Sequence, residues 1–339
     1  MSSVVNNMLQ SGESLTPPAL QDLYAPIADE LAQAEQILRD EMRSEYAYVD
    51  EIVRYGVLLG GKRLRPALVL LAGKAAGRTT REHLVLAAVV EMIHTATLVH
   101  DDVLDDAETR RHLATVNSRW DSKTSVLLGD FLFTHAFYLA STLETTWACR
   151  VIGRATNTVC EGEMRQQGSM GDYTLEEAEY VDMISAKTAE LCACACELGA
   201  YYASSSPDVV TRLSQFGRNL GIAFQIADDI LDLAGDEKTT GKSLGTDLAQ
   251  QKPTLPLLHL LATCSRAERA EVLAVLHGAP EQRLSALRPY FRRYDCLKYA
   301  RDRALEFSQR AAEQLDILPA SPARNTLAAM AHFAVARSR

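Results

Sequence analysis

The chain contains 339 residues, 47% of them hydrophobic, with a formal net charge of −9 and a pI near 5.5. This is enough apolar material for the core of one large domain. The acidic balance argues against nucleic-acid binding, because affinity for phosphate backbones requires an excess of Lys and Arg. No uninterrupted apolar run is long enough to span a bilayer, and the N-terminal segment has no secretory or transit signal. We therefore expect a cytoplasmic protein without an integral membrane segment.

The first 20 residues are polar and include Pro17-Pro18, which predicts a flexible tail before a single domain over residues 21–339. Helical periodicity follows, and strand-like alternation is scarce. The sequence therefore predicts an all-α, single-domain protein. Cys192, Cys194 and Cys196 alternate within a helical pattern. Because Cys194 would point away from the other two, close packing between helices is favoured over metal binding.

Two long helices are predicted at about residues 79–107 and 207–233. Thr79 and Glu82 match a capping box for the first, and Pro207 suits the first turn of the second. Each helix carries an acidic cluster near its C-terminal end. The helix dipole and the low helix propensity of Asp both disfavour that placement, whereas a bound cation would favour it.

The acidic clusters are Asp101-Asp102-Val103-Leu104-Asp105-Asp106 and Asp228-Asp229-Ile230-Leu231-Asp232. Asp101 and Asp105 are four residues apart and project from one helical face, as do Asp228 and Asp232. Hard oxygen ligands without a neighbouring Cys indicate Mg²⁺. One such cluster could be a solvated acidic turn, but two copies on apolar helices favour metal binding.

Basic residues accompany both clusters, in positions where a diphosphate would be bound. Arg can bind phosphate oxygens in a bidentate manner, and Lys supplies a point charge. His94 lies two turns before Asp101 on the same face and could bond a phosphate oxygen. The basic residues are Lys62, Arg63 and Arg65 beside the Gly60-Gly61 pair, Arg110 and Arg111 after the first cluster, and Lys187, Lys242 and Lys252 around the second.

Several stretches together resemble the trans-isoprenyl diphosphate synthases, and more narrowly their polyprenyl (octaprenyl- or solanesyl-type) branch. The resemblance begins near residue 25 and continues to the C-terminus. The matching stretches are GGKRLRP (60–66), IHTATLVHDDVLDDAETRR (93–111), VLLGDFLF (126–133), EGEM (161–164), AKTAEL (186–191), FQIADDILDL (224–233), GKSLGTDLAQQKPTLPLL (241–258) and MAHFAVARSR (330–339).

One stretch departs from the family pattern. After the two arginines the family usually has a Gly and then a Pro before Thr-Val-Asn. Here the order is His112-Leu113-Ala114-Thr115-Val116-Asn117, which leaves the shape of this loop open.

The resemblance implies a bundle of mostly antiparallel helices around a central cavity (the isoprenoid synthase fold), usually a homodimer. It implies a Mg²⁺-dependent prenyltransferase that condenses isopentenyl diphosphate with an allylic diphosphate head to tail. It also allows membrane contact during product release. The resemblance assigns the binding of isopentenyl diphosphate to Lys62, Arg65, His94 and Arg111. It assigns Mg²⁺ binding principally to Asp101, Asp105 and Asp228, supported by Asp102, Asp229 and Asp232. It assigns the binding of the allylic diphosphate to Arg110, Lys187, Thr188, Gln225, Lys242 and Lys252. The six Asp, Lys187 and Lys242 form the expected catalytic set.

Product length is expected to depend on residues beneath the first cluster. One helical turn rises about 5.4 Å, close to one extended isoprene unit. Ile93, Ala96 and Thr97 occupy the first two turns before Asp101, and none is a large aromatic residue. The next expected floor is Phe131, Phe133 and Phe137, although ordinary core packing would also explain them. We expect a product of about eight to ten units.

Three alternatives remain at this point. A shorter-chain farnesyl or geranylgeranyl diphosphate synthase would share all the motifs. A class I terpene cyclase would share the first cluster, but normally lacks the second and the GGKRLRP site. A non-catalytic subunit of a heteromeric synthase would typically lack Asp or Arg from these motifs, and this chain has kept them.

Overall fold

The computed structural model describes residues 20–58, 61–110, 112–234 and 244–336, with side chains from residue 22 onward. The predicted tail lies outside the described residues except for Leu20. Its boundary with the domain therefore stays a prediction.

Helices make up 80% of the structure, so the predicted all-α class is confirmed. One 3₁₀ turn spans Ala25–Ile27 and another spans Leu315–Ile317. The helices are α1 (Leu20–Leu23), α2 (Ala28–Glu41), α3 (Ala47–Leu58), α4 (Leu64–Ala75), α5 (Arg81–Leu104), α6 (Val116–Arg119), α7 (Ser122–Ser141), α8 (Trp147–Gly168), α9 (Glu177–Ile184), α10 (Glu190–Tyr202), α11 (Pro207–Ala234), α12 (Thr246–Ala249), α13 (Leu255–Thr263), α14 (Arg266–Leu276), α15 (Pro280–Arg293), α16 (Cys296–Gln314) and α17 (Pro322–Ala336).

Both long predicted helices form, as α5 and α11. Their acidic clusters lie at the C-terminal ends, as predicted, and Asp105 is the C-cap residue that follows Leu104 at the end of α5. The predicted cap of α5 is wrong by one residue. Thr80 is the N-cap, and the His83 ring, not the Glu82 carboxylate, bonds back to its backbone nitrogen at 3.0 Å.

The two long helices are joined through α10. Helix α10 packs against both α5 and α11, while α5 also packs on α7 and α11 on α16. Cys192, Cys194 and Cys196 are all buried in α10, in agreement with a packing role. A Cβ on Gly217 of α11 would lie 2.9 Å from the Cα of Ala193, so the two helices are in backbone contact.

Two local features interrupt the helical pattern. Between α9 and α10, Ser185–Ala189 forms a π-helical turn, an irregularity often found at functional sites. Between α5 and α6, β1 (Thr109–Arg110) and β2 (Leu113–Ala114) pair antiparallel. This small hairpin gives the shape of the loop that departs from the family pattern, and His112 at its turn has a φ of 66°.

Helix α5 is the principal core helix of the bundle. Among the described residues it alone is long and apolar enough to cross a membrane by length and composition, and 72% of its most apolar window is buried inside the protein. Such burial is typical of a core helix surrounded by other helices.

Candidate active site

The first acidic cluster lies at the end of α5. Asp101 and Asp105 are both half-buried and stand one turn apart. Burial raises the pKa of Asp101 to about 6. The nearby Lys187 opposes this rise, and the Glu163 and Asp105 carboxylates add to it. A cation bound here would relieve both the burial and the repulsion.

Asp102, the next residue of the same turn, has a different environment. It is 1% exposed and accepts hydrogen bonds from Arg110, with Nε at 2.9 and 3.1 Å from its two oxygens and a terminal nitrogen at 2.8 Å. This fork-like pairing is the strongest form of ion pair. Asp102 therefore holds Arg110, which lies in β1, against the end of α5.

The second cluster, at the end of α11, is divided in the same way. Asp228 is half-buried, whereas Asp229 is 3% exposed. Asp229 accepts hydrogen bonds from the Tyr180 hydroxyl at 2.5 Å and from Gln225 Nε2 at 2.9 Å. Burial raises the pKa of Asp229 well above its usual value. Asp229 thus joins α11 to α9 through hydrogen bonds.

Asp232 anchors the segment that follows the second cluster. Its carboxylate accepts hydrogen bonds from the Thr246 hydroxyl, from Thr246 N at 3.1 Å and from Asp247 N at 3.2 Å. Its carbonyl accepts one from Gly245 N at 2.8 Å. The start of α12 is therefore fixed against the end of α11.

The π-helical turn stands between the two clusters. Lys187 pairs with Glu163 of α8 and interacts electrostatically with Asp101. Its neighbour Thr188 donates a hydrogen bond to Gln225 Oε1 at 2.9 Å. Because Gln225 also bonds Asp229, the turn is connected to both acidic helix ends.

Lys252 makes a second connection between the clusters. Its Nζ lies 3.2 Å from Asp105 Oδ1, a contact between residues 147 positions apart. Its backbone nitrogen donates to the Asp247 carbonyl at 2.8 Å. The segment anchored by Asp232 therefore carries Lys252 to the first cluster.

The residues expected to bind isopentenyl diphosphate flank the start of α4. Arg65 is half-buried, and its Nε–H makes no hydrogen bond with a described residue. The Lys62 carbonyl accepts a hydrogen bond from the Tyr24 hydroxyl at 2.9 Å. His94 is half-buried on α5. An anion would provide the partner that the buried Arg65 Nε lacks.

Arg63, between the two expected ligands, points away from them. It has a φ of 53°, and its guanidinium lies 2.7 Å from Glu91 and 3.3 Å from Glu35. This pairing fixes the loop at the start of α4. Two other residues of the predicted set, Arg111 and Lys242, lie outside the described residues.

The structure divides the predicted chain-length group. Ile93 and Ala96 are 1% and 0% exposed, and the half-buried Thr97 bonds the His94 carbonyl at 2.8 Å. Phe133 and Phe137 share one face of α7. The Phe133 ring is 6.0 Å from that of His100 on α5, and a Cβ on Gly153 of α8 would touch Phe137 at 3.9 Å.

Phe131 belongs to a different face of α7, so the expectation of one three-residue floor is corrected. It stacks on His135 at 5.8 Å, and His135 bonds Glu41 of α2. Residues two apart on a helix point about 200° apart. Phe131 therefore cannot join Phe133 and Phe137 in a common floor.

The carboxylates fit a hard cation that also binds substrate. Within the described part of the chain, no three His, Cys, Asp or Glu side chains are placed to hold a metal ion. Carboxylate oxygens are ligands that Mg²⁺ prefers, and this ion usually takes one or two carboxylates and fills its other positions with water and phosphate.

Comparison with known proteins identifies the family. The polyprenyl synthetase family matches residues 46–289. The chain belongs to the polyprenyl synthetase family. It is 36% identical over 322 residues to an octaprenyl diphosphate synthase of Escherichia coli (strain K12), covering 94% of this chain and 99% of that protein. A short chain isoprenyl diphosphate synthase of Methanothermobacter thermautotrophicus is 35% identical over 285 residues, covering 83% and 88%.

Solved structures of polyprenyl synthases have the same fold. A decaprenyl diphosphate synthase from Rhodobacter capsulatus superposes with a TM-score of 0.89 at 34% identity, covering 95% of this chain and 100% of that chain. A polyprenyl synthase from Caulobacter crescentus, complexed with calcium and isoprenyl diphosphate, gives 0.89 at 35% identity, covering 96% and 99%. This polyprenyl synthetase is therefore a trans-prenyltransferase with the isoprenoid synthase fold.

Sequence reasoning missed several residues that hold the site of this polyprenyl synthetase together. Glu163 lies in the EGEM stretch (161–164), which contributes to the resemblance but has no predicted role in the site. Tyr180 and Glu91 had no local signal, because their partners Asp229 and Arg63 are 49 and 28 positions away. Only the fold shows that these side chains support expected ligands.

Proposed function

We propose that this polyprenyl synthetase condenses isopentenyl diphosphate head to tail with an allylic diphosphate, in the presence of Mg²⁺, to give an all-trans product of about eight to ten units. The observation that supports this proposal most directly is that cationic and amide side chains connect the two acidic helix ends. Lys187 and Thr188 reach both ends from the π-helical turn, and Lys252 reaches Asp105. Such a site suits a diphosphate bound between carboxylate-held cations and lysines.

In this proposal the residues act mainly by position and charge. Asp101 and Asp105 on one side and Asp228 on the other would hold Mg²⁺, which would supply positive charge to the departing diphosphate. Lys187 and Lys252 would bind the same diphosphate. In the structure their side chains pair with Glu163 and Asp105, respectively. Thr188 would add a neutral hydrogen bond, and Lys242 is proposed from the resemblance alone.

The second substrate is assigned to the start of α4 and the middle of α5. Lys62, Arg65 and His94, with Arg111 from the resemblance, would hold isopentenyl diphosphate so that its alkene faces the allylic carbon. Fixing two reactants in this way can supply a large part of the rate enhancement. The observation that favours an anion there is the buried Arg65 Nε, which has no hydrogen-bond partner among the described residues.

The proposed length rests on the small residues of α5. Ala96 and Ile93 are fully buried one to two turns before Asp101, and no large aromatic residue occupies those positions. The similar proteins include short-chain and decaprenyl synthases, so length has to be measured. A farnesyl or geranylgeranyl product is the alternative.

The deciding experiment incubates the purified chain with Mg²⁺, isopentenyl diphosphate and primers of one, two, three or four units, and sizes the products. We expect polyprenyl diphosphates of about eight to ten units and no product when a chelator is present. A product that stops at three or four units would replace the long-chain proposal by the short-chain one.

The same experiment separates the other two alternatives. A cyclic hydrocarbon formed without isopentenyl diphosphate would identify a terpene cyclase. An inactive but correctly folded chain that becomes active on adding a second subunit would identify a component of a heteromeric synthase.

We also propose a cytoplasmic homodimer that uses the outer face of α7. Leu127 and Tyr138 share that face and are 67% and 63% exposed, an apolar surface that a second copy would cover. Sedimentation should give twice the chain mass of 37.3 kDa. Leu127→Glu should shift the protein toward monomer, and a wild-type monomer at micromolar concentration would contradict the proposal.

A further inference from the structure

Helix α8 approaches the π-helical turn at two consecutive residues of the EGEM stretch. A Cβ on Gly162 would lie 2.9 Å from Lys187 Cα, and still closer to Lys187 N. The next residue, Glu163, pairs with Lys187 Nζ. One residue of α8 therefore touches the Lys187 backbone, and its neighbour binds the tip of the side chain.

The turn is held from the opposite side as well. A Cβ on Gly221 of α11 would lie 2.5 Å from Ala189 Cα and 2.7 Å from its Cβ. The π-helical turn is thus seated between glycines of two helices. A π-helical turn is rare and shifts the register of the side chains that follow it. The contacts with these two glycines therefore determine where Lys187 points.

Glu163 is itself fixed in place. Gln167, one turn later on α8, donates a hydrogen bond to Glu163 Oε1 at 3.1 Å, while Oε2 faces Lys187. The Lys187 and Glu163 side chains are only 19% and 17% exposed. A sheltered pair of this kind is screened less than a surface pair.

We propose that Gly162 and Glu163 are positioning residues that place the Lys187 ammonium between the two acidic helix ends. Gly162 sets the backbone of the π-helical turn, and Glu163 sets the direction of the side chain. This inference rests on the proposed role of Lys187 in binding the allylic diphosphate. Neither residue needs to touch substrate.

Gly162→Ala tests the backbone contact. Ordinary van der Waals contact begins at 3.4 Å, so the turn has to move by about half an ångström or more, and displacements near 1 Å can lower rates by roughly 100-fold. We expect kcat/KM for the allylic diphosphate to fall roughly 10- to 100-fold. Gly168→Ala is the control on the same helix, because a Cβ there meets nothing within 4 Å, and it should keep wild-type activity.

Glu163→Gln tests the side-chain contact in a double-mutant cycle with Lys187→Ala. We expect a loss of roughly tenfold in kcat/KM for the allylic substrate in the wild-type background, and less than about twofold in the Lys187→Ala background. The KM for isopentenyl diphosphate should change by less than about twofold in Glu163→Gln. A merely structural role would lower activity equally in both backgrounds.

The outcomes are distinguishable. Equal losses in the two backgrounds, or a Gly162→Ala enzyme with wild-type kinetics, would overturn the positioning role. A Lys187→Ala enzyme with wild-type allylic kinetics would overturn the role of Lys187 itself and this inference with it. Thermal unfolding and circular dichroism check each variant, and if Gly162→Ala does not fold, the Glu163→Gln cycle decides.

Discussion

His112 adopts the left-handed backbone region, with a φ of 66°, at the turn between β1 and β2. That region costs a residue with a Cβ about 1 kcal/mol, whereas glycine enters it freely. The family usually has a glycine after the two arginines. Here a histidine occupies this position and adopts the strained left-handed backbone conformation.

We predict that His112→Gly raises the free energy of unfolding by about 0.5–1 kcal/mol, because the Cβ strain is removed. Equilibrium urea denaturation is the measurement. His112→Ala keeps a Cβ and should bring no gain. A less stable glycine variant would mean that the His112 side chain contributes more than the strain removes.

Asp101 and Asp102 are adjacent, yet substitution by Asn should have opposite effects on stability. Asp101→Asn should stabilise the metal-free protein by about 1 kcal/mol, because it removes a buried charge repelled by other carboxylates. It should also lower activity by at least about 100-fold. Burial raises the pKa of Asp102 as well, but this matters less for stability than the Arg110 pairing does. Asp102→Asn should therefore destabilise by about 1–2 kcal/mol, because Arg110 loses its fork-like partner. Chemical denaturation with chelator present measures both, and a loss of stability in Asp101→Asn would contradict this account.

The pH dependence follows from the direction of the Asp101 shift. Its pKa is raised to about 6 in the folded protein, above that of an ordinary Asp. The folded state therefore takes up a proton more readily, and the penalty of the charge appears as pH rises through 6. The stability advantage of Asp101→Asn should shrink when the pH is lowered from 7 to 5. An advantage that is independent of pH would show that Asp101 is not the source.

At the level of helices, α5 and α11 were predictable because apolar runs, caps and Asp clusters are all local signals. The error at the cap of α5 was also local, since Thr79 and Thr80 are adjacent and His83 replaced Glu82 as the bonding partner. The π-helical turn had no such signal. Its register depends on Gly162 and Gly221, which belong to other helices and meet it only in the folded protein.

The acidic clusters and most cations of the proposed site are local sequence motifs, whereas their partners are not. Lys252 contacts Asp105 across 147 positions, and Asp229 bonds Tyr180 across 49. The division of each cluster into a half-buried Asp and a fully buried, hydrogen-bonded Asp also required the fold. The Asp residues of one cluster therefore differ in burial, and their spacing along the chain does not predict which of them is buried.

If the residues of α5 beneath the first cluster set the product length, Ala96→Phe should give a short product. Ala96 is fully buried on α5, five residues before Asp101, so a phenyl group there would block a chain after the first few units. Product sizing should show a sharp shift to short chains. An unchanged product profile would show that the growing chain does not pass this residue.

The two faces of α7 offer a matched pair of substitutions. Phe137→Ala should shift the products toward longer chains, because Phe137 lies against Gly153 of α8, inside the bundle, where its ring would narrow the path of the growing chain. Phe131→Ala, which removes a ring stacked on His135 instead, should leave the length distribution unchanged. Equal lengthening in both variants would contradict the division of faces.

For the whole molecule, the length of α5 sets a scale for the product. From Asp101 back to Arg81 this helix rises about 30 Å, whereas eight extended isoprene units of ~5 Å each span roughly 40 Å. The oldest units of a finished chain would therefore extend beyond the end of the bundle opposite the diphosphate. Each exposed unit leaves several apolar carbons in water, at a cost of about 0.8 kcal/mol per carbon.

An apolar phase near that end should therefore speed the late steps. We predict that nonionic detergent or phospholipid vesicles raise steady-state turnover severalfold and leave the first condensation unchanged. Single-turnover experiments with a short primer isolate that first step. Equal stimulation of the first and later steps would point to a general effect on the protein.

A protruding tail would also act as a temporary anchor. The protein would bind a bilayer through it during the last additions, when two or more isoprene units can enter the lipid, and would detach once the product dissociates. The fraction of enzyme on vesicles would then report how far each chain has grown.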